Sequence, residues 1–296
     1  MESAFFLVAL VVAILAGTAL AGRLGFPAPL LLIAAGVAGS FIPGVPEVHL
    51  EPEVVLLGLL PPLLYATAVQ TSLVDFAANK RTILLLSVGL VVFTTLGVGV
   101  VVHALLPGIG WPVAFAIGAV VAPPDAVSAT AVARRIGLPR RLVTILEGES
   151  LLNDATALVS LRTAIVAIGA GVSAWQVAGD FLLAAGGGAL LGFVVFRVVA
   201  WFRPLISDPV LDTAVSFVIP FVAYLGAEAI HASGVLAVVV AGLLLGHKAP
   251  LLQTAKSRIT ERTNWKTIAF LLENLVFLLI GLQAQWIVRD VLRSGV

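Results

Sequence analysis

The 296-residue chain contains no cysteine, which excludes disulfides, thiolate catalysis and cysteine-held metals. Its four histidines, His49, His103, His231 and His247, are scattered and offer no metal-ligand spacing. Charge is also scarce. Asp, Glu, Lys and Arg make up 11% of the residues, against about 25% in a soluble domain. The net charge is +1, and no basic stretch is interleaved with aromatics, so no nucleic-acid partner is expected. There is no low-complexity linker and no polar stretch long enough to form a soluble domain.

The remainder is strongly apolar. Hydrophobic residues account for 60% of the chain and the mean hydropathy is +1.12. Crossing a hydrocarbon core of about 30 Å takes about 20 apolar residues, and runs of that length recur. The chain therefore reads as an all-α polytopic membrane protein whose surroundings are the lipid bilayer. Ten candidate spans cover residues 4–22, 27–43, 53–74, 82–106, 111–133, 142–168, 176–202, 209–230, 232–247 and 265–287. Ala19-Leu20-Ala21 resembles a signal-peptidase site, but Glu2 stands where a basic residue belongs and the apolar run is too long; a retained first span is expected. The longest polar connection, residues 246–266, could form a short interfacial amphipathic helix.

The basic residues supply an orientation. With the N-terminus outside, the cytoplasmic turns hold Arg23, Lys80, Arg81, Arg134, Arg135, Arg140, Arg141, Arg197, Arg203, Lys248, Lys256, Arg258, Arg262 and Lys266, which is 14 of the 17 Lys and Arg residues. A count wrong by one span would scramble that bias.

Against this background, the segment LEGESLLNDATALV, residues 146–159, carries three carboxylates: Glu147, Glu149 and Asp154. Asp154 lies thirteen residues past Arg141, about 20 Å along a helix. A short acidic side chain at that depth cannot snorkel to water, so it marks a functional site. Glu147 is nearer the cytoplasmic end and fits a solvated role. Glu149 and Asn153 share one helix face, and Ser150 and Asp154 share the neighbouring face. A polar sector built only for helix packing would use Ser, Thr or Asn; two carboxylates suggest a cation or proton site. Arg162, eight residues beyond Asp154, is expected to snorkel or to pair with an outer acid.

The preceding span contains AVVAPPDAVSATAVARR, residues 119–135. Pro123 and Pro124 cannot donate backbone hydrogen bonds, so the helix breaks there and Asp125 starts the next half-helix. Such a break at membrane depth must line a cavity or be buried in protein. Freed carbonyls beside a carboxylate form ion sites in secondary transporters. A simple proline kink capped by Asp125 would explain one acid, but not the two more that the next helix brings to matching depth.

Residues 120–159, VVAPPDAVSATAVARRIGLPRRLVTILEGESLLNDATALV, resemble the core of a bacterial sodium/proton exchanger of the monovalent cation:proton antiporter family. LLPPLLYATA (59–68) and LLENLVFLLIGL (271–282) are also similar to family segments. The resemblance implies an inverted-repeat antiporter fold, working as a homodimer in the bacterial inner membrane. It implies electroneutral exchange of Na⁺ (or Li⁺ or K⁺) for H⁺, with both ions as cargo, no cofactor and no enzymatic activity. Asp154 becomes the shared cation ligand and proton carrier, and Asp125 a second ligand or orienting acid. Ser150 and the backbone at Pro123 and Pro124 supply neutral oxygens. Asn153 holds the broken helix, Glu149 is a structural charge partner, and Glu273 is either a supporting acid or an interhelical polar contact. The family continues with a helix carrying a buried arginine and a second broken helix, so the resemblance implies a chain lacking the last two or three helices.

Two other readings remain open on the residues alone. Asp125 and Asp154 on adjacent helices could serve an intramembrane aspartyl protease, although neither a Tyr-Asp pair nor a Gly-x-Gly-Asp stretch is present. An acidic ring could also serve a cation channel, which would carry current without proton exchange.

Overall fold

A computed structural model describes residues 2–43, 45–46, 51–124, 133, 136–169 and 174–294, and among these there is no strand. Helix is what an apolar chain must form when no water is present to satisfy its backbone. The helices are α1 Glu2–Leu24, α2 Ala28–Ser40, α3 Leu60–Gln70, α4 Leu73–Leu84, α5 Val91–Leu105, α6 Trp111–Val121, α7 Arg140–Gly169, α8 Ala174–Phe202, α9 Pro209–Ala229, α10 Gly234–Leu252, α11 Ala255–Leu282 and α12 Ala284–Ser294. More widely wound π-helical stretches, Val54–Leu59 and Leu85–Leu90, lead into α3 and α5.

Seven segments among the described residues are long and apolar enough to cross a membrane: Phe5–Leu24, Leu73–Leu105, Arg140–Ile168, Gly179–Leu205, Pro209–Ala229, Gly234–Leu252 and Ala255–Arg293. Three shorter apolar helices, Ala28–Ser40, Val54–Gln70 and Trp111–Val121, fall at the other three expected spans. Large apolar side chains such as Phe5, Leu183, Leu190 and Trp201 face outwards, as a lipid-facing surface requires. The chain is a multi-pass membrane protein.

The connection at residues 246–266 is not a separate interfacial helix. α10 runs on to Leu252, Gln253 is extended, and α11 begins at Ala255. The hydroxyl of Thr254 caps the new helix by accepting from the backbone N–H of Ser257 at 3.1 Å. Ser257 and Glu261 are buried, so the polar face of this stretch turns into the protein and not along a membrane surface.

The chain divides into two compact units, Met1–Leu63 with Trp265–Val296, and Leu64–Asn264. In the first, Leu10 and Ile14 of α1 pack with Leu278, Leu279 and Leu282 of α11. In the second, α7 is the central element, packed on α4, α5, α6, α8 and α10. α8 and α10 approach unusually closely: a Cβ on Gly192 would collide with the carbonyl oxygen of Ala237. α9 ends in a Schellman-type cap, with His231 N–H donating to Glu228 O at 3.0 Å and Ala232 N–H to Ala227 O at 2.9 Å. His231 takes the left-handed position at φ 56°, which is usually glycine's.

Candidate functional site

The site is assembled where α7 passes the end of α6. α6 stops at Val121 because neither Pro123 nor Pro124 has an N–H to continue it. Ala122 packs with Val91 of α5 and Ala157 of α7, which fixes the broken end against the neighbouring helices. The carbonyl of Pro124 accepts from Asn153 Nδ2 on α7 at 3.4 Å. The same amide donates to Glu149 Oε1 one turn earlier at 3.1 Å. Asn153 thus joins the chain break to the buried carboxylate of Glu149.

Asn153 is fully buried at 0% exposure, and its Oδ1 has no hydrogen-bond partner among the described residues. A buried acceptor is costly unless it meets a donor or a cation, so this oxygen calls for one. Asp154 follows on the adjacent flank of α7 and is half-buried, as is Ser150 one turn before it. The other hydroxyls along α7 are occupied differently. Thr156, Ser160 and Thr163 donate back to Leu152 O at 3.0 Å, Thr156 O at 2.7 Å and Val159 O at 2.8 Å. Those side chains satisfy the helix; the Glu149 to Asp154 stretch reaches outside it.

Of the residues singled out in the sequence, Pro123, Pro124, Glu149, Ser150, Asn153 and Asp154 all fall in the second unit, with contacts joining Asn153 to Glu149 and Pro124. Asp125 lies outside the described residues. Glu273 lies in the first unit, half-buried on α11 beside the buried Asn274. Arg162 pairs with Glu228 of α9 at 2.7 Å.

Sequence reasoning missed a second polar centre. Arg203, 2% exposed, donates to Asp212 Oδ1 of α9 at 2.6 Å and to Glu261 Oε2 of α11 at 2.5 Å. The side-chain amide of Gln253 donates to Asp212 Oδ2 at 2.7 Å and also to Glu261 Oε2. Tyr65 of α3 is buried beside Arg203. Arg203, next to Pro204 at the end of an apolar run, reads in sequence as one more cytoplasmic arginine. The available signal was Asp212 in the first turn of an apolar span, because a short acid there calls for a buried cation.

The second unit therefore presents a broken helix end, a bridging amide, a buried neutral oxygen without a hydrogen-bond partner among the described residues and a half-buried acid, groups whose chemistry suits a proton or a small cation. The family model described as "sodium/hydrogen exchanger, transmembrane" matches residues 8–293. An uncharacterised Na⁺/H⁺ exchanger of Mycobacterium tuberculosis is 37% identical over 279 residues, 94% of this chain and 51% of that protein. A sodium, potassium, lithium and rubidium/H⁺ antiporter of Bacillus pumilus is 34% identical over 265 residues, 87% of this chain and 40% of that protein. The chain spans about half the length of the curated relatives it matches, or less. The solved structure of the sodium proton antiporter MjNhaP1 from Methanocaldococcus jannaschii superposes with a TM-score of 0.73 at 18% identity, covering 96% of this chain and 71% of that one.

Proposed function

The chain belongs to the sodium/hydrogen exchanger family, and from that premise we propose that it exchanges Na⁺ for H⁺ across the bacterial inner membrane, with its N-terminus outside. The observation that carries this reading is Asp154, a half-buried acid beside an amide that anchors a proline-broken helix. In this reading Asp154 holds either a proton or a dehydrated Na⁺, never both. Each neutralises the carboxylate. An empty, charged site crosses a low-dielectric barrier poorly because an unpaired buried charge is expensive. That asymmetry couples the two flows and makes the exchange electroneutral.

Asp125 serves as the second ligand or orienting acid. Ser150 and the backbone at Pro123 and Pro124 contribute neutral oxygens. Asn153 positions the broken helix through Pro124, Glu149 is the structural charge behind it, and Glu273 supports the fold of its own unit. The working assembly is a homodimer in the bilayer. No resident cofactor or metal is required, since Na⁺ and H⁺ are the cargo.

The test is Na⁺-induced dissipation of a preset pH gradient in proteoliposomes, comparing the chain with its Asp154→Asn variant. The expected result is Na⁺-dependent proton movement that is unchanged by clamping the voltage and abolished by the substitution. The same assay with Li⁺ and K⁺ ranks the cations. Proton movement that persists in Asp154→Asn removes Asp154 from the carrier role, and ionic current without proton exchange replaces the antiporter with a channel.

A further inference from the structure

The second unit contains a cavity of about 510 Å³ bounded by α7, α8, α9 and α10, largely apolar but carrying a few charged groups. Its charged and titratable lining groups are Arg162 of α7, Asp180 of α8, Glu228 of α9 and His231 of the α9–α10 turn. One guanidinium nitrogen of Arg162 donates to both carboxylate oxygens of Glu228, at 2.8 and 2.7 Å. Glu228 also accepts from the Gly234 N–H at the start of α10, at 3.4 Å. Tyr224 is buried beside the pair. The exposed Asp180 leaves the lining with a surplus of negative charge when Arg162 and Glu228 cancel, and that favours a cation over an anion.

Of the residues of α7 that line this cavity, Leu158 is the nearest to Asp154 along the chain. Asp154, Leu158 and Arg162 follow one another at four-residue intervals along one side of α7. The cavity floor is therefore one helical turn, about 6 Å along the axis, from Asp154. We propose that this cavity is the outer vestibule of the path to Asp154, and that Leu158 and the Arg162–Glu228 pair form its gate; the proposal rests on Asp154 being the carrier. The pair ties α7, which bears Asp154, to the end of α9. Any shift of α7 against α9 at this end has to separate it. The pair is half-exposed, with side-chain exposures of 46% and 29%, and exposed ion pairs hold weakly enough to open and close repeatedly. Opening uncovers the Glu228 carboxylate in the vestibule, where it draws a cation inwards as Leu158 moves aside.

The absence of cysteine from the chain makes the test direct. Leu158→Cys and, separately, Thr163→Cys are expressed in intact cells and treated from outside with a membrane-impermeant thiol reagent. Thr163, which lines the cavity one residue beyond Arg162, is expected to label readily when substituted, and Leu158→Cys, one turn before Arg162, slowly. Glu228→Gln, which keeps an acceptor for the Gly234 N–H, should raise the Leu158→Cys rate about fivefold, the bias an exposed ion pair can exert on an opening equilibrium. Arg162→Gln should accelerate it equally, and both should leave Thr163→Cys labelling within about twofold of its starting rate. The charge-reversed pair Arg162→Glu with Glu228→Arg should return Leu158→Cys to its slow rate, which a merely structural role for Glu228 would not do. The proposal is overturned if neither neutral variant changes the Leu158→Cys rate, if charge reversal leaves labelling fast, or if Thr163→Cys is unreactive from outside. Labelling needs no transport. An intact labelling pattern without Na⁺-driven proton movement therefore counts against the antiport reading and not against the gate.

Discussion

Asn153 has the most structural work of any single side chain in the candidate site. Its amide nitrogen donates to Pro124 O, at the proline break, and to Glu149 Oε1. Asn153→Ala removes both bonds and leaves a buried carboxylate acceptor unmet, so a destabilisation of about 1–3 kcal/mol is expected. Thr163→Ala is the contrast, since its hydroxyl only folds back onto Val159 O; a change of about 0.5 kcal/mol or less is expected there. Thermal unfolding of the purified variants in detergent reads both, and equal losses would show that Asn153 is not the link between the break and α7. The Asn153-Asp154 pair and the Pro123-Pro124 break are legible in sequence because each is local chemistry in an apolar setting. The bond between Asn153 and Pro124 bridges 29 positions and is not written in either segment alone.

At the scale of elements, the packing of α8 on α10 depends on small residues, as membrane helices without a hydrophobic drive between them require. A Cβ on Gly192 would run into the Ala237 carbonyl oxygen and lie 2.9 Å from Val240 Cβ. The backbone cannot yield as a long side chain would, so Gly192→Ala is expected to cost about 1–3 kcal/mol. Gly186, on the same helix, has nothing within 4 Å of its would-be Cβ. Gly186→Ala should be neutral or stabilising by up to about 1 kcal/mol through helix propensity. Midpoints of thermal unfolding for the two alanine variants, measured side by side, test the asymmetry. Helix positions were readable from apolar run length, and the ten expected spans correspond to seven long and three shorter apolar helices. The 246–266 connection misleads because its polarity suggests an aqueous interface. Polarity in a membrane protein also marks what is buried against another charge, and periodicity alone cannot tell Glu261 facing Arg203 from Glu261 facing water.

At the scale of the whole molecule, the Arg203 centre gathers residues from far apart in the chain: Tyr65 from α3, Arg203 after α8, Asp212 from α9, Gln253 after α10 and Glu261 from α11. One guanidinium faces two carboxylates, all at 4% exposure or less. Gln253 bridges the two acids, but Glu261 Oε1 is still buried without a partner among the described residues. Removing the cation leaves two buried acids without the guanidinium that pairs them. Arg203→Gln is therefore expected to destabilise the protein by about 3–5 kcal/mol. Arg203→Lys should recover only part of this, because a single ammonium lacks the planar fork that reaches both acids. Whether the centre adds net stability is a separate matter, since desolvating three charges can cost as much as their attraction returns. The triple variant Arg203→Met, Asp212→Leu, Glu261→Met separates the two effects. It should unfold at least as late as the parent if the ions serve to fix how these helices meet, at the expense of stability. In that case its transport, not its melting point, should suffer, because the apolar side chains no longer specify one arrangement of α9, α10 and α11. A triple variant as unstable as Arg203→Gln would instead make the ion cluster a true source of cohesion.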